Sequence, residues 1–401
     1  MPNFEYSAKD KSGQTISGES EATNENEVVQ LLHMKGLVVV SIKATKKKSS
    51  SKKRIGKVKL DDLVVFSRQL ATLIDSGIPL VGALGILIDQ VENPSLKEVV
   101  LCVRRDVESG LSFCESLAKH PKVFSSFFIS MVRAGETSGM LDDVLERVAS
   151  YLEKTAALTR KVKSSLVYPA IVIVMAIAIT SVLLLKVVPT FKGIFDMLGG
   201  NLPFPTLVLI TISDILKRML VFVIFGFFVL GALFKKYINT ERGRYNFDKT
   251  MLKVPVLGML FRKVAVAKFS RTLSTLVKSG VSILDALSIV AKTSGNKVVE
   301  EAVNNSLRAV REGEPIAKPL ARSKVFPPMV TAMVGVGEQT GKLETMLTKI
   351  ADFYDDQVDA AVAGLTSMIE PLVIAFLGVI IGGIVIALFL PILQITQLMN
   401  P

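Results

Sequence analysis

Residues 66–88 read FSRQLATLIDSGIPLVGALGILI, and residues 269–291 read FSRTLSTLVKSGVSILDALSIVA. At an offset of 203 the two stretches share 11 identities in 23 positions. A second pair of segments, 123–152 and 325–354, shares 10 identities in 30 positions at an offset of 202. Similarity of a chain to itself at a fixed offset is the signature of a duplicated structural unit. The sequence therefore predicts one folded unit that occurs twice.

Within each copy, apolar residues recur three or four positions apart, as they do along one face of a helix. Leu63 and Phe66 begin the first such stripe, and the turn at 77–79 (Gly-Ile-Pro) ends it. Further stripes of the same period follow, separated by Gly and Pro, which punctuate helices. This pattern predicts an antiparallel helix bundle in each copy, at residues 60–165 and within 235–370.

Each copy runs into an apolar segment, at 166–188 in the first and 371–393 in the second. Two prolines, 20 residues apart, bracket each segment: Pro169 and Pro189, and Pro371 and Pro391. At ~1.5 Å of rise per residue this spacing covers ~30 Å, the thickness of the hydrocarbon core of a bilayer. The sequence therefore predicts that both segments are transmembrane helices with prolines at the membrane boundaries.

A third apolar run, at 219–234, is only 16 residues long, and an alternative start for its helix lies near Thr206. A span here would return the chain, so that both helical units lie on one side of the membrane. Residues 235–263 carry eight Lys or Arg, whereas 190–218 carry three. Because positive charge marks the cytoplasmic side, the helical units are predicted to be cytoplasmic, with a periplasmic loop at 189–218 and a periplasmic tail at 394–401.

Residues 1–44 are predicted to form a small cytoplasmic α+β unit, and the Lys/Ser-rich residues 45–59 are predicted to form a solvated linker. The opening residues have neither a basic stretch nor an apolar run, so no secretory signal is expected. The elements expected within residues 1–44 are two strands, a capped helix and a third strand: Phe4–Ala8, Gln14–Ser20, Asn24–Lys35 and Val38–Ile42.

Composition favours a membrane protein. Of the 401 residues, 50% are hydrophobic, the mean hydropathy is +0.46 and the net charge is +12. Such a chain suits an anionic lipid surface better than nucleic acid, which we do not expect as a partner. Two cysteines and two histidines provide neither a disulfide framework nor a His-rich metal site. No cofactor, metal or catalytic constellation is predicted.

The motif Gly-Glu-x-Ser/Thr-Gly occurs at the same place in both copies, as Gly135, Glu136, Gly139 and as Gly337, Glu338, Gly341. The second resembles a phosphate loop only superficially, because three residues rather than four separate its glycines and Leu343 follows Lys342. The motif predicts a corner between two helices, with Ser138 or Thr340 as a cap for the helix that follows. The alternative is that the two glutamates bind a partner or a cation.

Two further pairs of residues have open interpretations. Arg68 and Arg271 occupy the repeated Phe-Ser-Arg off the apolar stripe, and either form ion pairs within a bundle or contact an assembly partner. Gly378 and Gly382 have the small-xxx-small spacing that permits close helix packing in membranes.

Taken together, these features resemble the bacterial type II secretion F / type IV pilus assembly platform family. The resemblance rests on the duplicated motif, on residues 161–169 (KVKSSLVYP) leading into a span closed by 187–191 (VVPTF), and on the opening at 4–13 (FEYSAKDKSG). It implies an all-α inner-membrane protein with two homologous cytoplasmic antiparallel helix bundles, three transmembrane helices and a small N-terminal α+β unit.

The resemblance further implies a scaffold that is not an enzyme. It would couple a cytoplasmic hexameric assembly ATPase to pilin or pseudopilin subunits, acting beside other inner-membrane assembly proteins and as a homo-oligomer. A membrane transporter or channel subunit is the alternative, and it is disfavoured by the lack of ionisable residues in the middle of any span.

Overall fold

The protein is described by a computed structural model, which covers residues 3–9, 15–22, 24–34, 36–45, 56–191, 193, 203–255 and 257–398. The chain divides into two compact units, Met1–Val58 with Asn93–Ser95, and the remainder. The expected turn at 10–13 and most of the Lys/Ser linker, residues 46–55, lie outside the described residues.

The N-terminal unit contains the three strands and the helix that its sequence predicts. A three-stranded antiparallel sheet has the order β2-β1-β3, from strands β1 Asn3–Lys9, β2 Thr15–Glu21 and β3 Val38–Thr45. Helix α1, Glu25–Met34, begins where the side chain of Asn24 accepts a 3.0 Å hydrogen bond from the amide of Glu27. Its apolar face covers the sheet around Phe4, Val28 and Leu32.

The larger unit is helical. The first repeat forms six helices: α2 Leu60–Asp75, α3 Leu80–Gln90, α4 Pro94–Glu108, α5 Phe113–Ala118, α6 Ser126–Ser138 and α7 Leu141–Val182. Two helices follow, α8 Phe204–Ile238 and α9 Glu241–Met251. The second repeat forms six more: α10 Leu257–Lys278, α11 Ile283–Thr293, α12 Lys297–Arg311, α13 Ala317–Arg322, α14 Pro328–Gln339 and α15 Leu343–Leu398.

The two repeats pack their cores in the same way. Phe66 on α2 lies 6.2 Å from Phe124, ring centre to ring centre, and the equivalent pair Phe269 and Phe326 lies 4.6 Å apart. All four rings are buried. Because each ring removes a large apolar surface from water, this pair is one reason why the same residues recur at the same offset.

Helix α8 corrects one expected boundary. The predicted span at 219–234 is part of a 35-residue helix that begins at Phe204, close to the alternative start near Thr206, so residues 204–218 are helical and not loop. The physical reason is the pair Pro203 and Pro205, which fit the start of a helix, where backbone amides have no partner within the helix.

Helices α7 and α15 each continue from a helical repeat into an apolar segment. With a π-helical turn at Leu183–Val187, the first continues to Phe191 and is 51 residues long, or ~75 Å. Among the described residues it is the one helix that is long and apolar enough to cross a membrane, and 11% of its apolar window is buried. Helix α15 is 56 residues long and contains a shorter apolar stretch, Pro371–Ala387. The count of three spans stays a prediction.

Candidate functional site

The repeated Gly-Glu-x-Ser/Thr-Gly motif lies at the junction of α6 with α7 and of α14 with α15. Gly139 and Gly341 adopt the left-handed conformation, with φ of 72° and 69°. Gly135 lies so close to the next helix that a Cβ there would be 3.0 Å from the Cβ of Val144. A Cβ at Gly337 would be 2.9 Å from the Cα of Leu343. One glycine of each motif therefore permits the turn, and the other permits the close approach of the two helices.

The predicted capping role of Ser138 and Thr340 is wrong. The hydroxyl of Ser138 donates to the carbonyl of Gly135 at 3.3 Å, and that of Thr340 donates to Val336 at 2.7 Å. Helix α7 instead begins after Met140, which provides no side-chain cap. A hydroxyl in the last turn of a helix lies nearest to the carbonyl three or four residues earlier, and this explains the difference.

Glu136 and Glu338 each hold the start of a neighbouring short helix. The carboxylate of Glu136 accepts hydrogen bonds from the amides of Phe113 at 2.6 Å and Cys114 at 2.9 Å, in the first turn of α5. That of Glu338 accepts from Ile316 at 2.7 Å and Ala317 at 3.3 Å, at the start of α13. Amides at a helix start have no partner within the helix and attract negative charge. These contacts give both glutamates a structural role, which is to hold the start of a short helix within their own repeat.

Arg68 and Arg271 form ion pairs across the equivalent helices. Arg68 donates to Glu153 on α7 through Nε at 2.6 Å and through Nη2 at 2.7 Å, and it also pairs with Glu146. Arg271 donates to Asp352 at 2.8 Å and pairs with Asp355. The hydrogen bonds from Arg68 lower the pKa of Glu153. These contacts join the first helix of each repeat to its long helix.

A polar interface between the two repeats was missed by sequence reasoning. Tyr151 on α7 is buried, and its hydroxyl lies 3.0 Å from that of Thr272 on α10. Arg147 donates to the carbonyl of Lys278 at 2.6 Å. Burial raises the pKa of Tyr151. A tyrosine within an apolar stripe signals such a contact, because a buried hydroxyl needs a partner, but the stripe does not say on which helix the partner lies.

The predicted boundary prolines all lie inside helices. Pro169 is buried within α7, and α15 passes through Pro371 and Pro391. Pro189 follows the π-helical turn, in which the amide of Val188 donates to Leu183. A helix can contain a proline in its interior where the pattern of backbone hydrogen bonds is locally rearranged.

Two hydroxyl contacts join α8 to the long apolar helices, and the first of them is made possible by Pro189. Because Pro189 has no amide hydrogen, the carbonyl of Leu184 has no i+5 donor, and the hydroxyl of Ser213 on α8 donates to it at 2.5 Å. Thr206, also on α8, donates to the carbonyl of Ala387 on α15 at 2.5 Å. Both side chains are about 1% exposed. The start of α8 is thus tied to both long helices.

Gly378 and Gly382 do not mark a close helix contact within the described part of the chain. A Cβ built on either glycine would meet no described atom within 4 Å. The contact between α8 and α15 instead forms around Ile384, which is buried against Ile210 and Val188.

The duplicated helical fold, its corners and its long apolar helices match those expected of the type II secretion system protein F family. The family model of that name, "Type II secretion system (T2SS), protein F", matches residues 66–189 and 269–391. The model of its N-terminal domain matches residues 1–43. The chain belongs to this family, and the two matches fall on the two repeats.

Named relatives cover nearly the whole chain. It is 46% identical to the type IV pilus assembly protein PilC of Myxococcus xanthus, over 98% of this chain and 94% of that one. It is 45% identical to the protein of the same name from Thermus thermophilus, over 98% of both chains. It is 35% identical to the type II secretion system protein F of Vibrio cholerae, over the full length of both.

Proposed function

We propose that the protein is the inner-membrane platform of a type IV pilus or type II secretion machine. It would receive work from a cytoplasmic hexameric assembly ATPase and transmit it to pilin or pseudopilin subunits beside other inner-membrane assembly proteins. One observation carries this proposal: each repeat leads, through a glycine corner, into a single long helix with an exposed apolar surface. The names of the relatives support it.

The proposed layout has three spans, within 166–188, within α8 and at 371–393. Both repeats and the N-terminal unit then lie in the cytoplasm, and the C-terminus lies in the periplasm. Support comes from the apolar side chains exposed on all three helices, among them Ile177, Phe227 and Val379. Such surface is costly in water and favourable in lipid.

The end of α8 and the whole of α9 would lie at the cytoplasmic membrane surface. Their basic side chains are exposed: Lys235, Lys236, Arg242, Arg244 and Lys249. Near an anionic leaflet each such charge contributes about 1 kcal/mol to attraction. We therefore propose anionic lipid as a partner of this segment, and the same positive charge supports a cytoplasmic location for this end of α8.

Reporter fusions test the layout. A reporter that is active only in the periplasm should work when fused at Asn201 or after Pro401, and it should fail at Lys119 or Arg311. Periplasmic activity at Arg311 would contradict the three-span layout. A reporter that is active only in the cytoplasm, fused at the same four positions, should give the complementary pattern, so that no result depends on a missing signal.

A deletion strain tests the function. Loss of the gene should abolish surface fibres or secretion, while the assembly ATPase and the membrane pool of pilin-like subunits stay at normal levels. Restoring the full chain should restore the activity. Normal fibres and normal secretion in the deletion strain would refute the platform role whatever the topology.

A further inference from the structure

The contact between the two repeats uses a different face of each. The first repeat contributes α6 and α7, with Tyr151 and Arg147, and we call this surface the α6–α7 face. The second contributes α10 and α11, with Thr272, Lys278 and Ile289, which we call the α10–α11 face. Tyr151 is 6% exposed and Ile289 is 7% exposed. An interface between two unlike faces of the same fold is heterologous.

Farther along α7, Leu158 and Val162 also pack against Val358 and Val362 of α15, in a cluster that does not include Phe353. Duplication gives each repeat both faces, so among the described residues two faces have no partner repeat. The equivalent of the α6–α7 face in the second repeat lies on α14 and α15, and here Phe353 replaces Tyr151. The equivalent of the α10–α11 face in the first repeat lies on α2 and α3, and here Ile86 replaces Ile289. Phe353 is 45% exposed and Ile86 is 41% exposed. The same positions are therefore buried where a partner repeat is present and exposed where it is not.

The unused faces are suited to close contact. The interface within the chain leaves a polar groove of about 640 Å³ that is lined in part by Arg133 and Asp285. At the equivalent positions the unused faces carry Gly335 and Gly82. Next to the first of these, Val336 is 50% exposed. In a contact like the one within the chain, these glycines would take the places of the two groove-lining side chains, and small residues there allow the helices to approach more closely.

Their charges are also complementary. Lys349 is the equivalent of Arg147, which donates to the backbone of Lys278, and the equivalent of Lys278 is Asp75. Lys349 and Asp75 are both exposed, and neither forms an ion pair within the described residues. If the unused faces meet as the used ones do, a lysine lies opposite an aspartate.

We propose that a second copy of this chain places its α2–α3 face on the α14–α15 face of the first, repeating between chains the contact that joins the two repeats within one. Phe353 then packs beside Gln69, the equivalent of Thr272, and Val336 packs beside Ile86. An oligomer built from a heterologous contact is closed only when its chains form a ring. Because the proposed spans of all chains lie in one membrane, the axis of such a ring would run along the membrane normal. Each ring contains twice as many helical repeats as chains.

Disulfide cross-linking between two full-length chains tests the contact. Both native cysteines are first replaced by Cys102→Ser and Cys114→Ser. One tagged chain carries Gln69→Cys, and a second chain with a different tag carries Phe353→Cys; both are expressed in the same membranes and mildly oxidised. The matched control replaces Gln69→Cys by Ser109→Cys, an exposed position on the first repeat outside the α2–α3 face.

We expect a cross-linked pair that contains both tags, formed at least about tenfold faster than with the Ser109→Cys control. Chains that all carry Phe353→Cys should form few cross-links with one another, because the contact joins unlike faces. A rate equal to that of the control, or cross-links mainly between identical positions, would overturn the proposal. The readout needs neither fibres nor an ATPase, so it can fail or succeed independently of the platform function.

Two substitutions at one exposed position provide a second measurement. Phe353→Asp should raise the dissociation constant of the solubilised oligomer at least about tenfold. Phe353→Tyr, which introduces the side chain found in the first repeat, should leave it within about twofold. Unchanged helix content in both variants shows that the chain is folded. An oligomer that is equally stable with Phe353→Asp would refute this interface.

Discussion

Removing the carboxylate of Glu136 should loosen the start of α5 specifically. Three backbone amides in the first turn of this helix donate hydrogen bonds to side chains. Those of Phe113 and Cys114 donate to Glu136, and that of Glu115 donates to Ser112 at 3.1 Å. In Glu136→Ala the first two lose their acceptor, while the cap at Ser112 remains. Glu136→Gln is the matched control, because its amide oxygen can still accept one of the two hydrogen bonds.

The magnitude follows from the two contacts. A hydrogen bond to a charged group contributes about 1.5–3 kcal/mol, and a half-exposed site lies at the lower end because water replaces part of the lost contact. We therefore expect Glu136→Ala to lower the free energy of unfolding by about 3 kcal/mol, and Glu136→Gln by about half as much. Glu338→Ala should cost less, because its second hydrogen bond is 3.3 Å long and not 2.9 Å.

Hydrogen exchange of the full chain in detergent measures this effect. Peptides that cover 113–118 should exchange faster in Glu136→Ala than in the unmodified protein, and peptides from α12 should not change. The midpoint temperature of thermal unfolding should be lowest for Glu136→Ala, intermediate for Glu136→Gln and highest for the unmodified protein. Unchanged exchange at 113–118 would show that the carboxylate does not hold α5, and the structural interpretation of the motif would then be wrong.

Two further perturbations have definite expected results. Gly139→Val and Gly341→Val place a branched side chain where φ is positive, at a cost of about 1–2 kcal/mol. We expect both variants to reach normal levels in the membrane but to reduce fibre assembly or export. Full activity in both variants would show that the corners take no part in coupling. Burial lowers the pKa of His120, so the unfolded chain binds its proton more readily. Stability should therefore fall as the pH drops below about 6.5, the usual pKa of histidine, toward the lowered pKa of the folded state. His120→Gln should flatten this dependence in thermal unfolding, and an unchanged or steeper dependence would contradict the assignment.

The sequence was most informative where a pattern had a period. Helix stripes, the offset of the repeats and the two corner glycines each reflect a local requirement that a single segment of chain can satisfy. The positive φ at Gly139 and the tight contact at Gly135 are of this kind. The capped start of α1 at Asn24 is another.

What could not be predicted depends on residues that are distant in sequence. Ser213 accompanies Pro189 because the proline leaves a carbonyl without a donor, but nothing in either segment identifies the other. The start of α8 was predicted only as an alternative, near Thr206, for a related reason: residues 204–218 are apolar on one side and carry charge on another, so the uninterrupted apolar run begins only at 219. Likewise, Tyr151 signals a polar partner, but only the packed helices show that it is Thr272.

The energetics of the corner bear on how work could reach the membrane. A long helix transmits motion only if its base is fixed to the body that moves, and α7 is fixed in three ways: by the close approach at Gly135, by the ion pairs of Arg68 with Glu146 and Glu153, and by the contact of Tyr151 with the second repeat. Each contact alone is worth only a few kcal/mol at most, and the exposed ion pairs less. They act on successive turns of the same helix, however, so tilting α7 relative to its repeat would require breaking them together. Rigid movement of the repeat together with the apolar part of α7 is therefore less costly than bending at the corner. Because α15 has an equivalent corner and ion pair, a displacement of the joined repeats would move both long helices at once.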